Sequence, residues 1–301
     1  MHKNILITGA NGMLARHLSE QLEKSHSIRF LTRRVTAKNE YLWDVKNKYI
    51  DPEALKNVHI VIHLAGASIA DKRWTKKRKD LISSSRVAGS LLILNALKAQ
   101  GIILDKFISA SATGFYGTVN TDEVFNEESE KGTDFLSAVC VEWENAAHMF
   151  FKSRVAQSIT IIRIGIILAK NEGALKKISQ PIKLGIGAGI GSGKQYMPWI
   201  HIKDLSKVFE YTIKNNLNGV YNAVAPQHIN NIDLTNRIGS VLNRKIFLPN
   251  IPKFVMKVLF GKMSSILIYG SRVSSKKLTD LGFTFEFNTV KEALDNLFIK
   301  K

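Results

Sequence analysis

The chain has 301 residues, which allows one large domain or two, and its 45% apolar and 23% charged content is typical of a folded globular protein. The single cysteine, Cys140, excludes an internal disulfide framework and any metal site built from several thiolates. The net charge of +18 is uneven, because residues 1–150 carry +3 and residues 151–301 carry +15. Such a basic half is typical of proteins that meet nucleic acid, an anionic membrane surface or an acidic ligand, and also of chains with solvated lysines.

The apolar stretches are all too short for a membrane-spanning helix, which needs about 18 residues. The N-terminal segment MHKNILITGANG passes from a short apolar run directly into a turn, without the cleavage site of a secretory signal. We therefore expect a soluble, cytoplasmic protein with no membrane span.

Short apolar runs alternate with helical patterns along the first half of the chain. Strands are predicted at 4–8, 28–31, 58–64, 103–109 and 159–164. Helices are predicted at 12–23, 76–100 and 135–152. This alternation predicts a parallel sheet covered by helices on both faces.

The pattern is more mixed after about residue 168. Helices are predicted there at 204–214, 232–242, 252–260 and 290–298. Short strands are predicted at 219–223 and 246–248. We expect one continuous unit in which residues 1–168 bind a nucleotide and residues 169–301 form a smaller lobe.

A glycine-containing turn, TGANGMLA (8–15), joins the first strand to the first helix. Gly9 allows the tight turn, and Gly12 lets the backbone approach a pyrophosphate placed on the N–H groups of the helix N-terminus. Ala15 is small enough for the helix to pack closely on the strand. The context predicts dinucleotide binding, with an ordinary strand–helix turn as the alternative.

The end of the second strand indicates which dinucleotide binds. NAD sites usually place an acidic residue there for the ribose 2′-hydroxyl, but here Thr32 is followed by Arg33 and Arg34. Guanidinium groups suit a 2′-phosphate, and each charge-assisted contact contributes roughly 1.5–3 kcal/mol. The pattern favours NADP(H), with two solvated surface arginines as the alternative.

These segments together resemble the extended short-chain dehydrogenase/reductases, and more narrowly the "epimerase family" subgroup of nucleoside-diphosphate-sugar-epimerase-like proteins. The matching segments span essentially the whole chain and are ITGANGMLARHL (7–18), VIHLAGASIADKRW (61–74), SSSRV (83–87), SASATGFYG (109–117), FLSAVCVEWENAA (135–147), IIRIGIILAKNEGAL (161–175), GSGKQYMPWIHIKDL (191–205), YNAVAP (221–226) and MSSILIYGSRVSSKKLTDLGFTF (263–285). The resemblance implies an α/β fold, a Rossmann-type doubly wound parallel sheet with a smaller mixed C-terminal substrate lobe.

The resemblance also implies which residues contact the cofactor. Residues 44–45 would meet the adenine, 64–66 the ribose and pyrophosphate, 109–111 the nicotinamide ribose, and 165–167 the nicotinamide. Arg86 would direct its cation at the phosphates, although a surface cation on a Ser-rich helix is an alternative. The complete predicted cofactor set is Thr8, Gly9, Asn11, Gly12, Met13, Leu14, Thr32, Arg33, Arg34, Asp44, Val45, Leu64, Ala65, Gly66, Arg86, Ser109, Ala110, Gly165, Ile166 and Ile167.

The catalytic pattern of the wider superfamily is interrupted in this sequence. Active members carry Tyr-x-x-x-Lys and an upstream hydroxyl, and Ser111 matches that hydroxyl. Cys140 and Glu144 stand at the Tyr and Lys positions, and a carboxylate one helical turn away is expected to raise the pKa of the thiol. Cys140 is therefore predicted to be a buried, apolar-like side chain. Tyr116 is predicted to supply a phenol instead, with core packing as the alternative.

Other features have weaker signals. The basic run KRWTKKRK (72–79) is predicted to be the solvated start of a helix anchored by Trp74, or a surface that steers a phosphate-bearing ligand or touches RNA. The glycine-rich stretch 185–193 lacks the Ser or Thr that a phosphate loop needs after Lys194, and is predicted to be a turn-rich loop on the substrate side. His201 either faces the ligand lobe or is structural. No His/Asp/Glu cluster has metal-ligand spacing, so no metal site is predicted.

Three functions remain open from the sequence. The first is an NADP(H)-dependent enzyme of the reductase, epimerase or dehydratase type with a non-standard proton relay and a small, anionic substrate. The second is a non-catalytic NADP(H)-binding sensor or interaction protein. The third is a nucleic-acid or membrane-surface protein that uses the basic half. We expect no specific nucleic-acid partner, and either a monomer or a homodimer.

Overall fold

The computed structural model describes residues 2–299, which form twelve strands and ten α-helices. The strands are β1 (Asn4–Thr8), β2 (Ser27–Thr32), β3 (Glu40–Asp44), β4 (Tyr49–Ile50), β5 (Ile60–His63), β6 (Leu104–Ala112), β7 (Val124–Phe125), β8 (Ala156–Ile164), β9 (Ile166–Leu168), β10 (Trp199–His201), β11 (Gly219–Ala223) and β12 (Arg272–Val273). The helices are α1 (Met13–Leu22), α2 (Lys76–Ala99), α3 (Phe135–Lys152), α4 (Gly173–Lys183), α5 (Ile202–Lys214), α6 (Asn231–Val241), α7 (Lys253–Phe260), α8 (Ser265–Ile268), α9 (Lys276–Asp280) and α10 (Val290–Phe298).

The central sheet has eight strands in the order β11-β8-β6-β5-β1-β2-β3-β4. Every neighbouring pair is parallel except β3 and β4. The chain moves outward in one direction from β1 and in the other from β5, so the strand order reverses between these two strands. In open α/β sheets, ligands bind at this reversal, outside the carboxyl ends of the strands.

Alternating side chains of each strand enter two different hydrophobic cores. Ile5 and Ile7 pack with α1 and α5 on one face of the sheet. Leu6 and Phe107 pack with α2 and α3 on the other face. Because both faces are covered, the inner strands are apolar almost throughout, which explains the continuous apolar runs in the sequence. The predicted α/β fold, a doubly wound, mostly parallel sheet, is confirmed.

Most predicted elements lie within a few residues of the observed ones, but the strand predicted at 246–248 is wrong. In that segment Ile246 lies beside Gly187 and Gly239, while Phe247 and Leu248 are exposed, so the apolar run does not reflect a strand inside a sheet. A single bridge between Ile190 and Ile251 pairs this part of the chain with its neighbour.

The C-terminal residues form a third hydrophobic core of their own, around α4, α6 and α10. Two short parallel pairs, β9 with β10 and β7 with β12, lie outside the central sheet, and each joins a strand from before residue 169 to one from after it. The last strand of the sheet, β11, also comes from beyond residue 168. The division into residues 1–168 and 169–301 stays a prediction.

Candidate functional site

The turn after β1 has the geometry of a close backbone approach. Gly9 has φ +81°, and a side chain there would also meet Ala65 at 3.3 Å, so only glycine fits without strain. A side chain at Gly12 would stand 3.0 Å from the carbonyl oxygen of Gly9. Helix α1 starts after Gly12 with no side-chain cap and no acid in its first turn. Its first N–H groups therefore lack a side-chain acceptor, as an anion site requires.

Thr8 fastens this turn to the end of β5. Its hydroxyl oxygen accepts hydrogen bonds from the backbone N–H groups of Leu64 and Ala65, both at 3.0 Å. The Thr8 hydroxyl then has its own hydrogen to donate to His63 Nδ1, at 2.9 Å. This assigns the remaining ring proton to Nε2, which faces the carbonyl oxygen of Arg86 at 3.3 Å. Burial lowers the pKa of His63 to about 4, which agrees with a neutral ring.

Arg33 and Arg34 lie just beyond β2, at the same edge as the turn. Thr8 of β1 is level with Leu31 of β2, so both chains leave the sheet together. Both arginines are exposed, and within residues 2–299 neither side chain makes an ion pair or a hydrogen bond. Thr32 shapes their backbone, since its hydroxyl donates to the carbonyl oxygen of Arg34 at 3.1 Å.

The remaining predicted residues of the turn hold the helix start in place. Leu14 is buried in the core, and Met13 lies against Gly173 at the start of α4. The exposed Asn11 accepts a hydrogen bond at its carbonyl oxygen from Arg16, whose guanidinium also pairs with Glu172.

Asp44 is the last residue of β3 and Val45 follows it, next along this edge. The carboxylate of Asp44 accepts hydrogen bonds from the backbone N–H groups of Lys46 and Asn47. The bonds from Asn47 hold the pKa of Asp44 below its usual range. Val45 packs against the same core as Ala65. Asp44 therefore closes its own turn, and the adenine contacts predicted for both residues stay predictions.

Arg86 reaches from α2 to the loop after β5. Its Nη1 donates to the carbonyl oxygens of Ala67 at 3.1 Å and Ile82 at 2.8 Å. Its guanidinium lies 4.9 Å from the ring centre of Trp143, and a side chain at Gly66 would meet it at 3.0 Å. No carboxylate among residues 2–299 forms an ion pair with Arg86. The side chain is thus a fixed cation beside the predicted cofactor loop.

The strands β6 and β8 bring the last predicted cofactor residues to this edge. Ser109 is level with His63, and both Ser109 and Ala110 are buried. Beyond β8, a side chain at Gly165 would stand 2.6 Å from the carbonyl oxygen of Pro198, so only glycine fits there. Ile166 and Ile167 then pair with β10 and lead into the C-terminal lobe. All the predicted groups meet at one edge, and their contacts with a cofactor stay predictions.

A buried row of polar side chains crosses β6, β8 and β11 on the face covered by α3. The register places Ser111 beside Arg163, and Arg163 beside Asn222. Glu144 of α3 completes the row, and we call Ser111, Glu144, Arg163, Asn222 and Tyr116 the polar row. Arg163 donates through Nε and Nη2 to the two carboxylate oxygens of Glu144, both at 2.9 Å. The Ser111 hydroxyl donates to Glu144 Oε1 at 2.6 Å.

Tyr116 is held at the other end of the polar row. Its hydroxyl donates to Asn222 Oδ1 at 2.7 Å and accepts from Arg163 Nη1 at 3.0 Å. Burial raises the pKa of Tyr116 to about 12. The ring of Phe115 lies 3.3 Å from the guanidinium of Arg163, so the cation is enclosed by aromatic rings as well as by Glu144. The catalytic roles predicted for Ser111 and Tyr116 stay predictions.

Cys140 is buried one turn before Glu144 and contacts the carbonyl oxygen of Ala112 at 3.7 Å. Burial, and then the carboxylate of Glu144, raise the pKa of the thiol to about 12. The predicted direction is confirmed, although burial is the larger cause. A group with this pKa is almost wholly protonated at neutral pH.

Arg163 and Asn222 are not predicted from the sequence as site residues. Glu144 is noted there only as the residue that stands at the position of the superfamily's lysine. The available signal was one arginine within the apolar strand ITIIRI, because a buried cation needs a buried partner. His63 gave a similar signal at the end of VIHL.

The structure shows where His201, the basic run and the glycine-rich stretch lie. His201 is buried and caps α5, accepting at Nδ1 from the backbone N–H of Lys203 at 3.1 Å. Trp74 is buried against Phe135, and α2 begins at Lys76 behind a Thr75 cap, which confirms the helix start predicted in the basic run. The stretch 185–193 contains turns and no helix.

The sequence model of the NAD dependent epimerase/dehydratase family matches residues 5–224. The model of a domain of unknown function, DUF1731, matches residues 251–297. An epimerase family protein of Mycobacterium bovis is 32% identical over 294 residues, covering 96% of each chain. The chloroplastic epimerase family protein of Arabidopsis thaliana, an SDR39U1 homologue, is 33% identical over 305 residues, covering 96% of this chain and 85% of the relative. The chain belongs to the NAD dependent epimerase/dehydratase family, which confirms the resemblance seen in the sequence.

Solved structures share the fold over nearly all of this chain. The human epimerase family protein SDR39U1 (isoform 2), solved with NADPH, has a TM-score of 0.87 at 25% identity and covers 98% of each chain. A nucleoside-diphosphate sugar epimerase from Corynebacterium glutamicum has a TM-score of 0.81 at 26% identity, covering 99% of this chain and 58% of that one. Among residues 2–299, no helix combines the length and apolar character needed to cross a bilayer.

Proposed function

We propose that this protein binds NADP(H), in preference to NAD(H), at the carboxyl edge of β1, β2 and β5. The observation that carries the proposal is the exposed pair Arg33 and Arg34 beyond β2, where an NAD site usually has an acid. Two cations that form no ion pair with any residue in the described range 2–299 suit a dianionic 2′-phosphate. The NADPH in the human relative supports the same choice.

The fit of the turn supports a bound pyrophosphate. A side chain at Gly9 or Gly12 would fill the space against Ala65 and the turn's own carbonyl, and the start of α1 offers uncapped N–H groups. Arg86 would add a cation on the far side of the loop. When bound, NADP(H) supplies or accepts a hydride, and the chain's own residues must move the accompanying proton.

We assign that proton to a relay through Ser111 and Glu144. Ser111 donates its hydrogen to Glu144, which leaves its oxygen free to accept a hydrogen from a substrate hydroxyl. For an alcohol substrate, the hydroxyl proton would pass to Ser111 and the serine's own proton to Glu144, while the carbon that carries the hydroxyl gives its hydride to the oxidised cofactor and becomes a carbonyl carbon. The cation of Arg163 fixes the position of the carboxylate. Tyr116, which was predicted to be catalytic, orients Arg163 in this scheme.

The proposed substrate is a small anionic molecule with an alcohol or carbonyl group. The support is the excess of basic side chains after residue 150, where 23 Lys and Arg stand against 8 Asp and Glu. An anionic substrate is attracted to such a half of the molecule before any specific contact forms.

A second candidate is an NADP(H)-binding protein without turnover. The observation that favours it is the raised pKa of both Cys140 and Tyr116, each about 12, at the positions where a proton donor is expected. In this candidate the polar row is purely structural. The two candidates therefore differ in whether Ser111 and Glu144 transfer a proton.

The cofactor choice is tested by titrating NADPH and NADH at the same salt concentration and following nicotinamide fluorescence. We expect NADPH to bind about tenfold more tightly or better, as one charge-assisted contact to the 2′-phosphate predicts. Equal or tighter NADH binding would sink the assignment.

The relay is tested with a panel of anionic alcohols and carbonyl compounds, by following NADPH absorbance in the wild type and in Ser111→Ala. The relay predicts turnover that Ser111→Ala lowers by about 100-fold or more while NADPH affinity stays unchanged. Turnover that is unaffected by the substitution contradicts the relay, and a cofactor that binds tightly without any turnover supports the second candidate. The cytoplasmic location and the oligomeric state stay predictions.

A further inference from the structure

Helix α7 presents apolar side chains to the solvent instead of to the core. Phe254 is 68% exposed and Val258, one turn later on the same side, is 69% exposed. Leu259 is also exposed, whereas Met256 is buried on the inner side of the helix. A helix of a globular protein normally faces its apolar stripe inward, so this outward stripe is unpartnered surface.

The exposed apolar surface continues onto the two segments that lead to α7. Segments 187–191 and 246–253 run side by side, with the N–H of Gly191 donating to the carbonyl oxygen of Ile251 at 2.8 Å. Exposed apolar residues lie just before the first segment, at Leu184 and Ile186, and near the start of the second, at Phe247 and Leu248. We call these four residues, with Phe254, Val258 and Leu259, the apolar face.

The segments that carry the apolar face are rich in basic residues. The sequence has no acidic residue from 234 to 279, where it has nine basic ones, and none from 173 to 203, where it has five basic ones. Lys253 and Lys257 lie on α7 itself and are exposed. The basic run 72–79 joins the same surface, since Arg73 donates to the carbonyl oxygen of Val258 at 2.7 Å.

We infer that the apolar face docks this protein on membrane surfaces that carry anionic lipids. Aromatic and aliphatic side chains enter the headgroup region of a bilayer, and surrounding lysines are attracted to its negative surface potential. A nucleic acid would use the lysines but would leave Phe254 and Val258 without a role. A second copy docked by a two-fold axis would set this basic surface against itself, which repels. The inference does not depend on the proposed function.

The test is co-sedimentation of the full chain with vesicles of phosphatidylcholine, either alone or mixed with phosphatidylglycerol. We expect binding to the mixed vesicles only, weakening as salt rises. Removal of one lysine by Lys257→Ala lowers the partition coefficient about fivefold, and Phe254→Asp lowers it roughly tenfold or more.

Phe151→Asp is the matched control, because Phe151 is also an exposed phenylalanine, 53% accessible, but lies at the end of α3 and is not one of the residues that define the apolar face. It makes the same change of charge and is expected to leave vesicle binding unchanged. The thermal midpoint and NADPH affinity of each variant show whether it is folded.

Three results would overturn the inference. The first is no binding to the mixed vesicles at low salt. The second is Phe254→Asp binding them as well as Phe151→Asp does, since the attraction is then charge alone. The third is a dimer in sedimentation that Phe254→Asp splits without any binding to vesicles, since the occupant is then a second copy.

Discussion

Two parts of the same sheet edge handle their polar groups in opposite ways. At β1 and β2, the start of α1 lacks a cap, and Arg33 and Arg34 make no internal ion pair within residues 2–299. At β6, β8 and β11, Arg163 and Glu144 satisfy each other, and Ser111 completes the carboxylate's contacts. In the first part, positive charge and backbone N–H groups are left for a ligand to pair with. In the second part, the charged side chains are already paired with each other inside the protein.

The difference shows how one fold separates binding from support. Polar groups that face solvent are hydrogen-bonded to water, so leaving them without a phosphate costs little free energy. Polar groups buried under α3 must be paired, because an unpaired buried charge is expensive. The pairing of Arg163 with Glu144 therefore contributes chiefly to stability, and the contact of Ser111 with Glu144 is the part of the polar row that the proposed relay uses. The glycine turn with its arginines contributes chiefly to binding.

The largest expected effect is on stability at the polar row. Arg163→Leu leaves Glu144 buried without its cation and should lower the free energy of unfolding by about 3–5 kcal/mol. Lys291→Leu, which removes the exposed ion pair with Asp295, should cost no more than about 0.5 kcal/mol. Urea unfolding measures both. Equal costs would contradict the buried pair, and a Glu144→Leu, Arg163→Leu double variant should lose much less than the sum of the single changes.

The next effect is a loss of stability in mild acid. The pKa of His63 is lowered to about 4 in the folded chain, against roughly 6.5 when unfolded. Between these values only the unfolded chain takes up the proton, so the free energy of unfolding falls as pH drops, by about 3 kcal/mol for this group. The lowered pKa of His201, also about 4, acts in the same direction.

Urea unfolding at a series of pH values tests this dependence, and His63→Gln should show a slope reduced by close to one proton. A free energy of unfolding that stays level between about pH 6.5 and pH 4 would show that the Thr8–His63 contact does not hold a neutral ring.

A smaller effect is expected on cofactor affinity. Arg33→Ala with Arg34→Ala should weaken NADPH binding by roughly 10–100-fold and leave NADH binding unchanged, because only NADPH has the 2′-phosphate. Lys38→Ala, an exposed cation in the same loop, is the control and should change neither. If the double variant and the control behave alike, the arginines are merely solvated.

The smallest effect on cofactor affinity is expected at Cys140. With a pKa of about 12, the thiol should react with iodoacetamide on the order of 1,000-fold more slowly at neutral pH than a free cysteine. Cys140→Ser should leave NADPH affinity unchanged. Rapid alkylation that NADPH blocks, with turnover lost in Cys140→Ser, would make Cys140 a working acid–base residue.

The arrangement at β1 and β2 could be predicted from the sequence, because the residues that form it lie close together along the chain. Gly9, Gly12 and Arg33 lie within a few residues of strands that the apolar pattern reveals. The contacts of the polar row could not be predicted, since Glu144 and Arg163 meet only when α3 packs on β8. The apolar run at 246–248 misled for a related reason, because Phe247 is apolar yet exposed, and composition does not show which face a segment presents.

Hydrogen–deuterium exchange of the wild type with and without NADPH tests the contrast between the two parts most directly. We expect added NADPH to slow backbone exchange in residues 9–14 and 33–34, where the N–H groups are open to the ligand. We expect little change in the peptide of α3 that contains Glu144, because its contacts with Ser111 and Arg163 are already made without the cofactor. Slowing confined to α3, or none at the glycine turn, would contradict this contrast.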